Sequence, residues 1–333
     1  MTLLINSIAH LLVDGVSCSV LFSAEAGGAE LTAAILIYNT LAFSGQCVVG
    51  YMLDRIGNSL RLARISMLIV ALAWFLPIGV IPKAVVAGIG NSVFHVAGGI
   101  MTMLEYRGRA KELGLFVAPG AIGVSLGVFF SHLGVWLACG LIACAALIGF
   151  SAKGAFLYNE SPAFLGKSLR RRDLPVSVAA FLTAAVAVRA IGGSAVSFPW
   201  KTGVEAALIM TVFVFAGKAA GGFVCDRIGA VRTAYISIVP AAILVAFFSA
   251  YMVPSLAGQF LLNLTMPVTL WLLYEAMPDS PGLAFGLAAA ALWPGSLIGG
   301  LFQLTGPALW ACVIMSFCFG LVAIILCERK ISK

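Results

Sequence analysis

The chain is poor in charge. Asp, Glu, Lys and Arg make up 10% of its 333 residues, and apolar residues make up 62%. Soluble domains carry about 25% charged residues, so this chain has too little charge to cover a water-facing surface. It has eight cysteines but no CxxC pair. That spacing supports neither a disulfide framework nor a thiolate zinc site, and the cysteines read as small apolar fillers. No P-loop and no GxGxxG turn occurs, so neither a primary pump nor a nucleotide-dependent redox enzyme is supported. No enzymatic activity and no cofactor are expected. The basic residues are not clustered on any water-exposed domain, which excludes nucleic acid as a partner.

What the chain does have is apolar blocks of about 20 residues, the length that crosses a bilayer core as a helix. Twelve can be marked, at 3–22, 31–52, 61–80, 84–104, 112–132, 134–152, 175–197, 203–225, 231–251, 256–276, 283–303 and 307–327. The expected fold is an all-α polytopic membrane protein of twelve transmembrane helices embedded in the lipid bilayer. The start, MTLLINSIAH, has no basic segment and no small-residue cleavage site, and reads as the first span rather than a signal peptide.

The few basic residues are unevenly placed. With the N-terminus inside, sixteen of the twenty Lys and Arg residues fall in inner loops or the C-terminal tail, and only Lys83 and Lys201 face out. This bias orients the chain with both termini in the cytoplasm, in a bacterial inner membrane or a plasma membrane.

One phrase is written twice. GYMLDRIG runs from Gly50 to Gly57, and GFVCDRIG from Gly222 to Gly229, 172 positions later. Both sit at the inner end of a span. Glycine permits close backbone approach, aspartate can cap free helix N–H groups, and arginine can reach a helix C-terminus. Asp54-Arg55 and Asp226-Arg227 therefore read as a charged latch on each inner loop, with Glu105 in the network of the first. Asn91 matches Asn263 at the same shift. Pro119-Gly120 in the fifth span echoes Pro294-Gly295 in the eleventh at about 175. The chain reads as two pseudo-symmetric six-helix bundles, 1–152 and 174–333, joined by a cytoplasmic linker at 153–173. An even number of spans per repeat makes the repeats parallel, related by an axis along the membrane normal.

GYMLDRIG followed by Arg61 and Arg64 resembles the loop 2–3 signature of the major facilitator superfamily, and GFVCDRIG resembles its loop 8–9 copy. Asn58 and Ser59 stand where the signature usually continues with basic residues. GLFVAPGAIGVSLG in the fifth span is similar to the antiporter-type motif of that superfamily. GIGNSVFHVAGG in the fourth resembles fosmidomycin-resistance-type exporters, with Val96 where those have proline. The resemblance covers essentially the whole chain. It implies two six-helix bundles rocking around a central site near mid-membrane.

Polar side chains deep in spans are costly and mark function. His10 and Asp14 are one turn apart on the first span, as are Asn91 and His95 on the fourth. A carboxylate beside an imidazole can hold its tautomer and pass a proton, so His10, Asp14 and His95 are the expected proton-coupling residues. The same three could in principle ligate a metal, but with one carboxylate and no thiolate none is expected. Arg189 and Lys218 outnumber Asp14 as deep charges, and this favours an anionic or zwitterionic solute. Asn39, Gln46, Asn91, His95, Arg189, Lys218, Asn263 and Trp293 are the expected substrate-binding residues. Tyr38 adds a hydroxyl to the second span.

The expected function is secondary active transport of a small organic solute, coupled to protons or to sodium, by a monomer. The alternatives are multidrug or antibiotic efflux and a transport-inactive membrane receptor or interaction protein.

Overall fold

The computed structural model describes residues 1–23, 27–151, 176–302 and 304–332. The linker at 153–173 and Gln303 lie outside them. The described residues are helical, with no strand, as expected where lipid offers the backbone no hydrogen-bond partner. Eleven helical spans are long and apolar enough to cross a membrane. The third, Ser59–Phe75, has 17 residues, at the lower limit of a spanning length. With it the described residues hold twelve. Its C-terminal end falls short of the expected 61–80 because Pro77 follows. A residue before proline is driven out of the helical region, and Leu76 is extended, with ψ 128°. The next helix, Val80–Glu105, starts four residues ahead of the expected 84.

In chain order the helices are α1 Thr2–Phe22, α2 Gly28–Asn39, α3 Gly45–Ile56, α4 Ser59–Phe75, α5 Val80–Glu105, α6 Lys111–Val117, α7 Pro119–Phe129, α8 Gly134–Ser151, α9 Val176–Ser194, α10 Gly203–Ile228, α11 Ala230–Phe248, α12 Met252–Asn263, α13 Thr265–Ala276, α14 Pro281–Leu301 and α15 Gly306–Ile331. Three spans are interrupted. The fifth breaks between α6 and α7 at Pro119, which has no N–H to continue the ladder. The tenth breaks after Asn263, because Pro267 cannot donate to the Asn263 carbonyl. The second passes through a π-helical turn at Thr40–Ser44, which has no proline to announce it. Such turns concentrate at functional sites.

The chain forms two compact units. The first takes Met1–Arg107, the described residues from 119 to 151, and Asp279–Gly286; the second takes Gly108–Ala118, the described residues from 176 to 278, and those from Leu287 on. Each unit thus includes a short segment from the other half of the sequence.

The repeated phrase explains those segments. In the first unit, buried Asp54 accepts from the backbone N–H groups of Gly282 (2.7 Å) and Leu283 (2.8 Å), in the first turn of α14. In the second, Asp226 accepts from Ala110 (2.8 Å) and Lys111 (3.2 Å), at the start of α6. Each carboxylate caps a helix N-terminus, where free N–H groups and the helix dipole favour negative charge. The capped helix is not the one that follows in sequence. It is the eleventh span for Asp54 and the fifth for Asp226, and the donating N–H groups are again 172 apart. Arg55 turns back onto its own helix end, donating to the Tyr51 carbonyl at 2.9 Å and stacking 3.4 Å over the Tyr51 ring. Arg227 is exposed at the end of α10, and Glu105 is exposed at the end of α5.

The glycines at either end of the phrase have separate tasks. Gly57 and Gly229 take positive φ, 72° and 85°, where the helix ends. A Cβ on Gly50 would collide with the Gly282 carbonyl oxygen, and one on Gly222 with that of Ala110. Gly50→Ala and Gly222→Ala are each expected to destabilise by about 1–3 kcal/mol through overpacking against backbone, read as a lower thermal midpoint in detergent. Gly28→Ala, where an added Cβ meets nothing within 4 Å, should leave the midpoint unchanged.

Candidate functional site

The first unit gathers a polar cluster. α1 carries His10 and Asp14 one turn apart, α5 carries Asn91 and His95 one turn apart, and α2 brings Tyr38. His10, Asp14, Asn91, His95 and Tyr38 are all buried. Asn91 Nδ2 donates to Asp14 Oδ1 at 2.8 Å and to the Tyr38 hydroxyl at 3.0 Å. His95 Nδ1 lies 2.9 Å from the Asn91 carbonyl oxygen. A carbonyl only accepts, so His95 Nδ1 carries a hydrogen. In neutral His95 the other nitrogen, Nε2, is then bare. It faces His10 Nε2 at 2.8 Å. One proton must lie between the two nitrogens. Asp14 flanks them, with Oδ2 3.4 Å from His10 Nε2 and Oδ1 3.5 Å from His95 Nε2.

The glycines of the fifth span make room for this cluster. A side chain on Gly120 would strike Asp14 and His10. One on Gly123 would strike the Leu11 carbonyl, and one on Gly127 the Gly15 carbonyl. Small residues at this spacing let α7 press its backbone against α1. In the second unit Gly295 meets the Ala187 carbonyl and Gly299 the Ile191 carbonyl in the same way. The packing therefore pairs Gly123 with Gly295 and Gly127 with Gly299, at 172 rather than at the 175 suggested by the Pro-Gly lettering. Asp14 lies in the α1 window from Leu11 to Gly15, and Arg189 lies in the equivalent α9 window from Ala187 to Ile191.

The ligand atoms of His10, Asp14 and His95 lie within 4.8 Å of one another, close enough to consider a metal. Tetrahedral zinc with bonds of about 2.0–2.1 Å would hold its nitrogens some 3.3 Å apart. The observed 2.8 Å is the length of a hydrogen bond, so the pair suits a shared proton.

The second unit holds a cavity of about 230 Å³. Arg189 from α9 lines it, together with Ser194, Gln259, Asn263, Met266, Leu292 and Ser296. Arg189 is 5% exposed. Its Nη1 donates to Thr265 Oγ1 at 2.7 Å, and Nη2 reaches Thr269 Oγ1 and Met266 Sδ at 3.5 Å. Its partners are neutral: among the described residues no carboxylate pairs with it. The helix break at Asn263 sets this geometry, for Asn263 ends α12 by donating to the Gln259 carbonyl at 2.8 Å, and α13 then starts with Thr265.

The expected site residues divide accordingly. His10, Asp14, Asn91 and His95 come together in the first unit, and Arg189 and Asn263 line one cavity in the second. Lys218 and Trp293 belong to the second unit but are not among the residues lining that cavity. Asn39 donates to the Ile35 carbonyl one turn back. Gln46 does the same to Ala42, and its buried Oε1 has no hydrogen-bond partner. The sequence reading missed Thr265, Thr269, Ser194 and Ser296. Thr265 and Thr269 are one turn apart just past Asn263, a spacing that could have flagged them as one face.

Among the described residues, twelve helical spans with matched aspartate caps 172 residues apart make up the fold of a multi-pass membrane protein. No protein-family model matches the chain, and no curated protein sequence does. Solved structures do match. The crystal structure of the E. coli fucose:proton symporter FucP has a TM-score of 0.66 at 12% identity, covering 98% of this chain and 97% of that one. A second structure, the major facilitator superfamily transporter FucP in the outward conformation, has a TM-score of 0.65 at 11% identity, covering 99% and 98%. At such identities the likeness is one of fold.

Proposed function

We propose that this protein is a secondary active transporter that carries a small organic anion or zwitterion together with protons, by alternating access. Arg189 carries the reading. A buried guanidinium without a carboxylate is costly, and it lines a cavity that a solute's negative group can enter to offset that cost. The shared proton of His10 and His95, with Asp14 as its counter-charge, supports proton coupling. Two nitrogens facing each other suit a proton better than sodium. The solved FucP structures share the fold and are named for a proton symporter, which agrees with this reading. The capped helices at Asp54 and Asp226 serve as inner latches that open and close as residues 1–152 and 174–333 move. The basic inner loops keep both termini in the cytoplasm.

The test is uptake into proteoliposomes under an imposed pH step, acid outside, with labelled organic anions. Accumulation that collapses when the step is dissipated is the expected result. Equal accumulation with and without the step would end the proton-coupled reading.

A further inference from the structure

The cavity around Arg189 has more polar capacity than one carboxylate can use. A guanidinium has five N–H donors. Three contacts go to Thr265, Met266 and Thr269, and two N–H groups remain. One cation with no second basic residue in the lining matches a single negative charge; a phosphate dianion would call for more. The rest of the lining is amide and hydroxyl. Asn263 uses one N–H on the Gln259 carbonyl and keeps an N–H and a carbonyl oxygen. Gln259, Ser194 and Ser296 also line the space. Amides both donate and accept, and so do hydroxyl groups, so a row of hydroxyls answers these side chains where an alkyl chain would strip their water and return nothing. The volume is about 230 Å³. That is below the roughly 300–1,000 Å³ of drug-sized sites and suits one six-membered ring.

Resting on the transport reading above, we infer that the solute is a polyhydroxylated monocarboxylate, a sugar acid. Arg189 takes its carboxylate, and Gln259, Asn263 and the two serines read its hydroxyls as specificity-determining residues.

Three probes of equal ring size separate the parts: galacturonate, galactose and cyclohexanecarboxylate. Binding to the detergent-purified full chain is read by thermal shift, and transport by uptake into proteoliposomes. Galacturonate is expected to bind at least about 100-fold better than cyclohexanecarboxylate, since a site built to hydrogen-bond its substrate rejects an analogue lacking those groups by up to roughly 10,000- to 100,000-fold, and to bind better than galactose. Gln259→Leu and Asn263→Leu should each cut that preference to below about tenfold, while cyclohexanecarboxylate binding is unchanged or improved. That retained binding also shows that the variants are folded. Equal binding of the two carboxylates would overturn the hydroxyl reading and leave an anion transporter. A preference for galactose would overturn both the sugar-acid and the anion readings. No shift with millimolar galacturonate would overturn the sugar acid. Galacturonate binding without pH-driven accumulation would keep the ligand class and overturn proton-coupled transport.

Discussion

Asp14→Asn should abolish proton-driven accumulation while solute exchange continues. Asparagine has nearly the same shape. Its carbonyl oxygen still accepts from Asn91 Nδ2, as Asp14 Oδ1 does at 2.8 Å, so the meeting of α1 and α5 survives. What disappears is the negative charge beside the two histidines, 3.4 Å and 3.5 Å from their facing nitrogens. A further proton taken up by the pair, which would make one imidazole cationic, loses its counter-charge in a buried place. Removing one partner of a desolvated charge pair costs about 2–5 kcal/mol, so net accumulation under a pH step should fall by roughly 30-fold or more. Counterflow of labelled against unlabelled solute, which needs no net proton movement, should stay within a few-fold. The two assays on one preparation separate uncoupling from misfolding. A variant that still concentrates solute in response to pH would take Asp14 out of the coupling path.

Arg189→Met should lose anion transport and gain heat stability. Both effects follow from one fact, that the guanidinium is buried against neutral partners. Replacing a buried charge by an apolar side chain of similar volume is often neutral or stabilising by about 1–4 kcal/mol, so the empty protein should melt at the same temperature or higher. The solute's carboxylate, left facing methionine, should bind roughly 30- to 4,000-fold more weakly, the range for losing one partner of a buried ion pair. Arg189→Lys should recover only part of this. An ammonium keeps the charge but cannot reach Thr265 and Thr269 with the planar fork that holds the guanidinium in place. A melting temperature well below the parent's, with uptake intact, would make Arg189 a structural tie and leave the anion reading without support.

Much of the fold could be read from composition because the bilayer allows few solutions: blocks of about 20 apolar residues must be helices. The polar cluster of the first unit was half legible. His10 with Asp14, and Asn91 with His95, each announce a shared face by their spacing, but nothing in the letters says that the two faces meet, or that Tyr38 joins them. Arg189 stood out as a deep charge. Its holders did not, since threonine hydroxyls are common in apolar helices and bring no charge to notice. The aspartates of the repeated phrase show a different limit. Asp54 and Asp226 were visible, but their partners are backbone N–H groups of Gly282, Leu283, Ala110 and Lys111, which have no side-chain signature. Pro-Gly lettering likewise misplaced the register of the fifth and eleventh spans by about one turn, because a proline marks where a helix bends, and the glycines that touch carbonyls mark where it packs.

The 2.8 Å contact between His10 and His95 bears on bioenergetics, since the pair has room for one added proton. If one proton travels with one monoanion, the loaded carrier moves no net charge. Membrane voltage then does no work on the cycle, and only the difference in pH does, sustaining about tenfold accumulation per pH unit. A cell whose proton-motive force is mostly electrical would gain little from such a carrier, and one living in acid would gain the most.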